Sequence, residues 1–509
     1  MKKQNVIFAA PVAAWGNKMK ILLIRPPYSA DTRSLAKLAD FPLGLAYICA
    51  VLEKEGHRVA ALDALIEGFD LESWQGRHLI RYGLPDDELK KRIRDFSPDI
   101  VGVSCLFSTQ ADNAHNVCKI VKEISKSILT VMGGSHPSVM PDETLRDENV
   151  DFVVIGEGEY TMRDLLKRLE SKDDFLSLDG LAFRKDGKIT VNPKTKFIEA
   201  LDDLPFPARH YFPMEKYFDP KKYQVSPRLT PAATLISSRG CPAKCIFCSI
   251  HKVWGRPFRA RSAENVLNEI GLLVDKYGVK EIQFADDNMT LDKKRLMAIC
   301  NGIKERFPRL KWLSLGVALW ALDEEMITSM AESGCYRIYL PVESGDQDVL
   351  TRIVKKPLLL SKIPPLLEKM RSLGMEVHGF FVIGFPGETP EQVRQTLRYA
   401  RELNLDHHYI YYATPYPGTE MYETCKQGGF IIEKSGYKSL YPRQIHIETP
   451  ALPAAILRRI VRRHNIINQW TLFQQHPIME FPVIVSKLWR DFKSYFERIR
   501  APAGSDNGS

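Results

Sequence analysis

Three cysteines stand close together near the middle of the chain, and they constrain the fold more than any other feature. Cys241, Cys245 and Cys248 follow a short apolar run at residues 233–237. A C-x3-C-x2-C spacing can hold three irons of a four-iron cluster, and no fourth cysteine follows nearby to close the site. We therefore expect a loop at a strand end that carries a [4Fe-4S] cluster with one iron open to a small molecule.

Two other interpretations of these cysteines stay open at this point. His251 could complete a zinc site of three thiolates and one imidazole, and the thiols could also be ordinary buried side chains. The remaining cysteines are expected to be buried and dispensable for iron binding; they are Cys49, Cys105, Cys118, Cys300, Cys335 and Cys425. Nine cysteines spread in this way do not form a secreted disulfide framework, so a reducing cytoplasm is the expected compartment.

The region after the cysteine loop alternates strand-like and helix-like segments up to about residue 418. Together with the strand before Cys241, it predicts six parallel strands, an incomplete (β/α)6 TIM-like barrel with its site at the carboxyl ends of the strands. Acidic residues and glycines follow these strands, namely Asp286, Asp287, Glu343, Gly384, Gly387 and Glu388. Asp323 begins a helix, and we expect it to be the N-cap.

The cysteine loop, with the aromatic Phe247 just before the third cysteine, resembles the signature of the radical S-adenosylmethionine superfamily. The resemblance implies that the open iron binds the amino and carboxylate groups of S-adenosylmethionine. It also implies cofactor contacts from Asp286 and Asp287 to the methionine amine, from Glu343 to the ribose or methionine moiety, and from Gly384 and Gly387 to the adenine.

Five short apolar segments in the first third of the chain alternate with helical patterns, at residues 21–24, 59–62, 100–104, 129–132 and 152–155. This rhythm predicts a parallel, doubly wound, Rossmann-like sheet. Ligands of such sheets bind at the carboxyl ends of the strands. The residues that stand there are Asp63, Ser104, Thr109, Gly133, Gly134, His136, Gly156, Glu157 and Gly158.

Two runs in this half, Gly133-Gly134-Ser135-His136-Pro137 and Gly156-Glu157-Gly158-Glu159, resemble those of flavodoxin-like cobalamin-binding domains fused ahead of radical domains. The resemblance implies that the nine strand-end residues contact cobalamin. The loop after the first strand, at residues 25–30, contains no histidine, so cobalamin is expected to lack a lower axial imidazole. We expect His136 to contact the pocket only. A Rossmann-like domain that no longer binds cobalamin is the alternative.

These patterns divide the chain into five parts: a disordered extension at 1–18, the cobalamin-binding domain at 19–165, a connector with a β-hairpin at 166–230, the radical domain at 231–425 and a basic region at 426–509. Two helices are expected in the last part, at 457–470 and 486–500. Residues 451–509 contain nine Lys and Arg against four Asp and Glu, over half of the net charge of +9. The helices could form a substrate lid, an amphipathic pair on a membrane surface, or ordinary packing helices.

Both resemblances imply a cobalamin-dependent radical S-adenosylmethionine enzyme. We expect it to transfer a methyl group to an unactivated carbon by means of a 5'-deoxyadenosyl radical and methylcobalamin. The alternatives are an anaerobic oxidative cyclase of a tetrapyrrole ester and a non-catalytic cluster and cobalamin sensor. The expected partners are a small-molecule, lipid-like or tetrapyrrole substrate and an external electron donor, flavodoxin or ferredoxin, with no nucleic acid. Peripheral membrane contact through the basic region is a further expectation.

Overall fold

The computed structural model describes residues 18–32, 37–75, 78–223, 225–432 and 439–475. The predicted extension at 1–18, except Lys18, and the predicted helix at 486–500 lie outside these residues. Two large α/β units follow one another along the described chain, and each is built around a sheet with parallel strands.

The elements of the first half are short and alternate regularly. The strands are β1 (Lys20–Arg25), β2 (Tyr28–Asp31), β3 (Arg58–Asp63), β4 (Glu72–Trp74), β5 (Leu79–Tyr82), β6 (Ile100–Ser104), β7 (Leu129–Gly133), β8 (Phe152–Val154), β9 (Leu181–Lys185) and β10 (Lys188–Val191). The helices are α1 (Leu43–Lys54), α2 (Ala64–Glu67), α3 (Asp86–Phe96), α4 (Ala111–Ile124), α5 (Ser135–Val139), α6 (Pro141–Thr144) and α7 (Gly158–Ser171).

A seven-stranded sheet forms the centre of this half, in the order β10-β9-β8-β7-β6-β1-β3. Strands β3, β1, β6, β7 and β8 lie side by side in this order and are parallel. This arrangement confirms the predicted doubly wound sheet and has the strand order of flavodoxin-like folds. The β9–β10 hairpin, which we predicted within a connector, instead continues this sheet, because β9 pairs antiparallel with β8. Strands β2, β5 and β4 form a small antiparallel sheet of their own.

Burial on both faces explains why the parallel strands read as continuous apolar runs. In β1, Ile21 and Leu23 belong to the same apolar cluster as α1 and α7, whereas Leu22 and Ile24 belong to the cluster that includes α3 and α4. Helices therefore cover the sheet on both sides.

The second half contains the longest strand and the longest helix of the described chain, together with several very short elements. The strands are β11 (Ala232–Leu235), β12 (Ser238–Arg239), β13 (Arg259–Ala260), β14 (Glu281–Phe284), β15 (Lys311–Ser314), β16 (Cys335–Glu343), β17 (Glu376–Ile383) and β18 (His407–Tyr412). The helices are α8 (Met214–Tyr217), α9 (Ile250–Val253), α10 (Ala263–Tyr277), α11 (Lys293–Arg306), α12 (Glu324–Glu332), α13 (Ile363–Ser372), α14 (Pro390–Glu402), α15 (Glu420–Gly428) and α16 (Ala454–Gln475).

A six-stranded parallel sheet in the order β11-β14-β15-β16-β17-β18 confirms the predicted incomplete barrel. Strand residues such as Ile282 and Trp312 share one buried cluster with residues of the outer helices, such as Leu267 and Met330. The short antiparallel pair of β12 and β13 brackets the cysteine loop. Asp323 caps α12 as predicted, because its carboxylate accepts a hydrogen bond from the N–H of Met326.

The predicted helix at 457–470 lies within α16, which packs on the outside of the barrel. Leu457 and Ile460 share an apolar cluster with Val393 and Leu397 of α14. The described side chains of α16 therefore include an apolar face that packs on the barrel. No helix in the described ranges combines the length and the hydropathy needed to span a membrane.

Candidate functional site

The three motif cysteines lie on the loop that joins β12 to α9, and they are half-buried. The other six cysteines are buried, as predicted. In the part of the chain that the structure describes, no group of three or more His, Cys, Asp or Glu side chains is arranged to hold a single metal ion. An iron–sulfur cube spreads its cysteine ligands over separate irons, so it does not require the thiols to converge on one point as zinc does.

Backbone and apolar contacts hold the cysteine loop in place. The N–H of Ile246 donates to the carbonyl of Val354 at 3.1 Å, and its own carbonyl accepts from the N–H of Met421 at 2.9 Å. The Ile246 side chain is buried in a cluster with Phe385, and the Phe247 ring lies 6.0 Å from the Phe385 ring between centroids. The loop conformation is therefore set by the protein itself.

Two glycines that the sequence analysis did not assign allow close approach at this loop. Gly240 has a φ of +86°, and a Cβ there would collide with the carbonyl oxygen of Pro257. A Cβ at Gly316 would collide with the carbonyl oxygen of Asp286. The place of Gly240 beside Cys241 could have drawn attention to it, but nothing local indicates Gly316, which approaches a residue from a neighbouring strand.

The thiols of the loop are costly to ionise without a positive charge nearby. Burial raises the pKa of Cys245 to about 11 and that of Cys248 to about 12. Burial also raises the pKa of Cys241, and a hydrogen bond with Asn288 partly offsets this. Because the ligating form is the thiolate, iron ions would supply the missing charge, and the loop fits a [4Fe-4S] cluster.

The two aspartates after β14 have different surroundings. Asp286 is buried and accepts hydrogen bonds from the N–H and hydroxyl of Ser237, at 3.0 and 2.7 Å, and from the hydroxyl of Ser238. It ties two strand ends together. Burial and the charge of Asp286 raise the pKa of Asp287 to about 7, and a hydrogen bond from the backbone of Gly240 places Asp287 beside the cysteine loop. Asp286 is therefore held by three described hydrogen bonds, whereas Asp287 is held by one from the backbone of Gly240.

Glu343 ends β16 in a left-handed conformation, with a φ of +68°, at an irregularity in the pairing with β17. Such a conformation costs a non-glycine residue about 1–3 kcal/mol and is typical of functional sites. The Glu343 carboxylate lies 2.9 Å from Nζ of Lys356, and both side chains are buried. Lys356 was not predicted, and its charge lowers the pKa of Cys245 against the larger effect of burial. The pair therefore lies beside the cysteine loop.

The turn after β17 is closed by Glu388. Its carboxylate accepts hydrogen bonds from the N–H groups of Gly384 and Phe385, at 2.6 and 3.1 Å, and burial raises its pKa to about 7. Gly384 has a φ of +87°, and a Cβ there would lie 2.9 Å from Leu457 of α16. A Cβ at Gly387 would make an ordinary contact with Cδ1 of Ile353, at 3.8 Å, and would not collide with it.

A cavity of about 320 Å³ lies between the two halves of the molecule. From the first half it is lined by the predicted residues Ser104, Gly133, Gly134, Gly156 and Gly158. From the barrel it is lined by residues that include Thr234, Gln283, Ala285 and Leu315. The strand ends of the flavodoxin-like sheet therefore face the inside of the barrel.

The cavity continues as an apolar slot between the first sheet and helices α1 and α7. Its lining includes Leu23, Gly102, Val131 and Val154 on the strands and Ile48 and Met162 on the helices. A Cβ at Gly102 would lie 2.6 Å from Cδ2 of Leu23, and one at Gly158 would lie 3.2 Å from Cδ1 of Ile48. Larger side chains would fill this space. An apolar slot with a glycine-lined mouth fits a bulky, partly apolar cofactor such as cobalamin.

Four of the predicted cobalamin contacts do not line this cavity. Asp63 caps α2 and pairs with Arg25 at 3.4 Å. Thr109 lines a separate polar cavity of about 550 Å³. His136 is buried, with its ring Nδ1 3.1 Å from a serine hydroxyl oxygen. Glu157 directs its carboxylate to arginines of the second half.

Aromatic side chains form the inner wall of strands β16 to β18. The rings of Tyr339 and Phe380 stack with 5.4 Å between centroids, and Tyr409 lies 5.3 Å from Phe380. His378 contacts Tyr339, and burial together with the charge of Arg337 lowers the pKa of His378 to about 4, so it is neutral at pH 7. Only the tyrosine-rich β18 indicates this wall in the sequence, because the other rings come from two different strands.

A flavodoxin-like domain that opens into an incomplete barrel, beside a C-x3-C-x2-C loop, defines a radical S-adenosylmethionine enzyme with a cobalamin domain. The chain matches the family described as B12 binding domain over residues 37–166 and the Radical SAM superfamily over residues 235–400. These matches confirm both predicted domain types.

Known proteins of similar sequence include methyltransferases and a cyclase. The chain is 37% identical to cytidylyl-2-hydroxyethylphosphonate methyltransferase of Streptomyces wedmorensis, over 85% of this chain and 86% of that protein. It is 34% identical to an uncharacterized methyltransferase of Pyrococcus horikoshii, over 80% and 83%. It is 26% identical to the anaerobic magnesium-protoporphyrin IX monomethyl ester cyclase of Rubrivivax gelatinosus, over 83% and 73%. The chain belongs to the family of cobalamin-dependent radical S-adenosylmethionine methyltransferases.

Solved structures share the fold. The radical S-adenosylmethionine methyltransferase TsrM of Kitasatospora setae, with cobalamin and a [4Fe-4S] cluster bound, has a TM-score of 0.63 at 18% identity, over 81% of this chain and 76% of that chain. OxsB, with aqua-cobalamin and S-adenosylmethionine bound, has a TM-score of 0.67 at 16% identity, over 94% and 76%. As a member of this family, the protein is an enzyme whose cofactors are a [4Fe-4S] cluster, S-adenosylmethionine and cobalamin.

Proposed function

We propose that this enzyme transfers a methyl group from S-adenosylmethionine to an unactivated carbon of a small molecule. Two relatives above 30% identity, each matched over most of its length, are methyltransferases. The observation that carries the proposal is the cavity that joins the glycine-lined strand ends of the first half to the inside of the barrel. A methyl donor held in one half and a radical formed in the other reach the same carbon only in a shared chamber.

The residues of the chain divide the work of binding. When bound, the cluster supplies the electron that cleaves S-adenosylmethionine, and cobalamin carries the methyl group. We assign Asp287 to the methionine amine, because an ammonium group favours the charged form of a carboxylate whose pKa is raised. We assign the Glu343–Lys356 pair to the ribose and carboxylate of the same molecule. Gly387 leaves room for the adenine.

The aromatic wall of Tyr339, Phe380 and Tyr409 is the surface on which we place the substrate. Flat rings bury apolar area in a defined orientation, and a neutral His378 adds a polar group without a charge. This wall suits a small molecule with an apolar or planar part, a class that includes lipid-like and tetrapyrrole substrates. Orientation in a dry chamber protects a carbon radical from side reactions.

Oxidative cyclisation of a tetrapyrrole ester is the second candidate, because the Rubrivivax cyclase matches over 83% of this chain. Its identity of 26% is lower than that of either methyltransferase. The two reactions differ in their products, because only methyl transfer converts S-adenosylmethionine to S-adenosylhomocysteine. A non-catalytic sensor is not retained, since the family consists of enzymes.

The reaction needs electrons from outside the protein, and we assign their delivery to a reduced flavodoxin or ferredoxin. We place the enzyme in the cytoplasm, where its nine free cysteines stay reduced. Contact with an anionic membrane surface is a proposal for the basic C-terminal region, whose described part exposes Arg458, Arg459, Arg462 and Arg463 on α16.

The test is an anaerobic assay of the reconstituted holoenzyme with reductant, S-adenosylmethionine and a small-molecule extract of the cells that encode the protein. Each methylation converts one S-adenosylmethionine to S-adenosylhomocysteine and a second to methionine and 5'-deoxyadenosine, which takes up the substrate hydrogen. We expect the extract to increase both products in equal amounts. An increase in 5'-deoxyadenosine alone would contradict methyl transfer and favour cyclisation.

A further inference from the structure

Four charged side chains meet at the junction of the two halves, and none is more than 8% exposed. Arg239 donates to Glu157 at 3.0 Å and to Glu159 at 2.6 Å. Arg259 donates to both carboxylate oxygens of Glu157, at 2.8 and 3.0 Å. We call these four residues the junction clamp.

The surroundings of the junction clamp fix its geometry. The guanidinium of Arg239 lies 4.6 Å from the centre of the Trp254 ring, and that of Arg259 lies 5.4 Å from the Phe197 ring. Arg259 also donates to the carbonyl of Ile198 at 2.6 Å, and Glu157 accepts from the N–H of Ile198 at 2.7 Å. Rigid rings and backbone groups therefore leave the charged side chains little freedom to rearrange.

Stability alone does not account for such a group. Removing charges from water is costly, and buried ion pairs are often no more stabilising than apolar residues of the same size. Geometric specificity is a recognised role for buried charges of this kind. The position of the clamp indicates which parts of the molecule it holds in a defined geometry.

Each side of the junction clamp belongs to a cofactor-binding segment. Glu157 stands between Gly156 and Gly158, which line the interdomain cavity, and Glu159 and Arg239 line the same cavity. Arg239 directly precedes Gly240 and Cys241 at the start of the cysteine loop. The clamp is thus the direct polar link between the strand end of the first half and the cysteine loop of the second.

We propose that the junction clamp sets the position of the cysteine loop relative to the cobalamin pocket and so couples radical formation to methyl transfer. Its members are positioning residues, since they act through the two segments they join. The proposal rests on the proposed function, because coupling has meaning only if both cofactors act on one substrate. A displacement of about 1 Å at a reacting centre can reduce a rate by about 100-fold.

The first test uses hydrogen–deuterium exchange of the full-length protein without cofactors, so it does not depend on the reaction. Glu157→Gln removes one charge at nearly constant volume, so within the clamp Arg239 keeps Glu159 as its anionic partner and Arg259 keeps none. We expect faster exchange in the peptides that contain residues 156–160 and 239–248. Glu264→Gln is the matched control, because it breaks an exposed ion pair with Arg306, and we expect no change at the junction. Unchanged exchange in Glu157→Gln overturns the proposal.

The second test uses the reconstituted holoenzyme. We expect Glu157→Gln to retain iron and cobalamin but to raise the ratio of 5'-deoxyadenosine to S-adenosylhomocysteine by about tenfold. Glu159→Gln, which leaves the contacts of Arg259 intact, is expected to give a smaller rise and covers the case in which Glu157→Gln fails to fold. Loss of cobalamin binding with unchanged exchange would make Glu157 a direct cobalamin contact and overturn the clamp. If the wild type makes no S-adenosylhomocysteine, the proposed function fails, and the exchange experiment still decides the clamp.

Discussion

The two halves of the molecule use the carboxyl ends of their parallel strands in different ways. In the flavodoxin-like half, four of the five predicted residues that line the cavity are glycines, and the charged residues Asp63 and Glu157 form buried ion pairs instead. In the barrel, carboxylates stand beside the cysteine loop. Asp287 has a raised pKa, and Glu343 has a strained, left-handed backbone conformation. One half makes room for a large ligand, and the other presents charge to a small one.

The difference follows from the ligands that each half is built to hold. A bulky cofactor needs space and apolar contact, and a side chain at the strand end would occupy that space. A small charged molecule needs a partner for each charge, and a carboxylate at the strand end can pair with a positively charged group of that molecule. Within the barrel, the residues divide again, because Asp286 and Glu388 each accept two or more described hydrogen bonds, while the one described for Asp287 comes from the backbone of Gly240.

Loss of a cysteine ligand should have the largest effect. In Cys245→Ala we expect complete loss of the [4Fe-4S] cluster, because two thiolates cannot hold it, while the fold is retained. Iron and sulfide content after anaerobic reconstitution provides the measurement. Cys300→Ala is the control, since Cys300 is buried in the outer core, and equal iron loss there would show that the division between the cysteines is wrong.

The contrast between the two aspartates predicts two different defects. Asp287→Asn should weaken S-adenosylmethionine binding by about 1.5–3 kcal/mol, because an amide is a poor partner for an ammonium group. Asp286→Asn should instead lower the free energy of unfolding by about 1–3 kcal/mol, since it disturbs buried hydrogen bonds. Equilibrium binding of S-adenosylmethionine and denaturant unfolding separate the two. The reverse assignment of the defects would contradict our reading of this pair.

A side chain in the apolar slot should affect only the first half. Gly102→Val places a Cβ 2.6 Å from Cδ2 of Leu23, so the Leu23 side chain must shift, and we expect the crowded slot to weaken cobalamin binding by about 1–3 kcal/mol. Absorbance titration with aqua-cobalamin measures this effect, and cluster content should not change. Gly271→Ala in α10 serves as the control, because its Cβ would meet nothing closer than 3.6 Å. Equal cobalamin affinity in Gly102→Val would place the ligand elsewhere.

The smallest expected effect is the pH dependence of stability from Glu388. Burial raises its pKa in the folded protein to about 7, above its ordinary value near 4.5, so the folded state binds more protons between these values. The free energy of unfolding should therefore fall as pH rises from about 4.5 to about 7, by about 1 kcal/mol or more. Glu388→Gln should lack this component. Denaturant unfolding at several pH values measures it, and parallel curves for both proteins would show that Glu388 does not titrate in this window.

Most of the fold can be predicted from the sequence because its determinants are local. The buried strand β1 reads as four apolar residues in a row, and the C-x3-C-x2-C loop is contiguous. The sequence predicts that β9 and β10 form a hairpin, because the turn between them is local. It does not predict that the hairpin joins the first sheet, because the pairing of β9 with β8 leaves no pattern in the neighbouring residues.

The site was predictable only in part. Glycines at strand ends could be identified, because a residue without a side chain leaves space for a ligand whatever its tertiary neighbours are. The partners of charged residues could not, because Lys356 meets Glu343, and Arg239 meets Glu157, only after the chain has folded. Ser104, Gly133, Gly134, Gly156 and Gly158 lie together at the cavity, whereas Asp63, Thr109, His136 and Glu157 do not. Cobalamin contacts of the individual residues remain predictions.

The most direct test of the central claim follows a deuterated methyl group through the two halves. Wild-type holoenzyme and Gly102→Val are incubated with reductant, the cellular extract and S-adenosylmethionine labelled with CD3, and the products are analysed by mass spectrometry. We predict that the wild type forms a product that carries the intact CD3 group. Gly102→Val should still form 5'-deoxyadenosine but little labelled product. Equal labelling by the variant without bound cobalamin, or an unlabelled oxidised product from the wild type, would contradict the account.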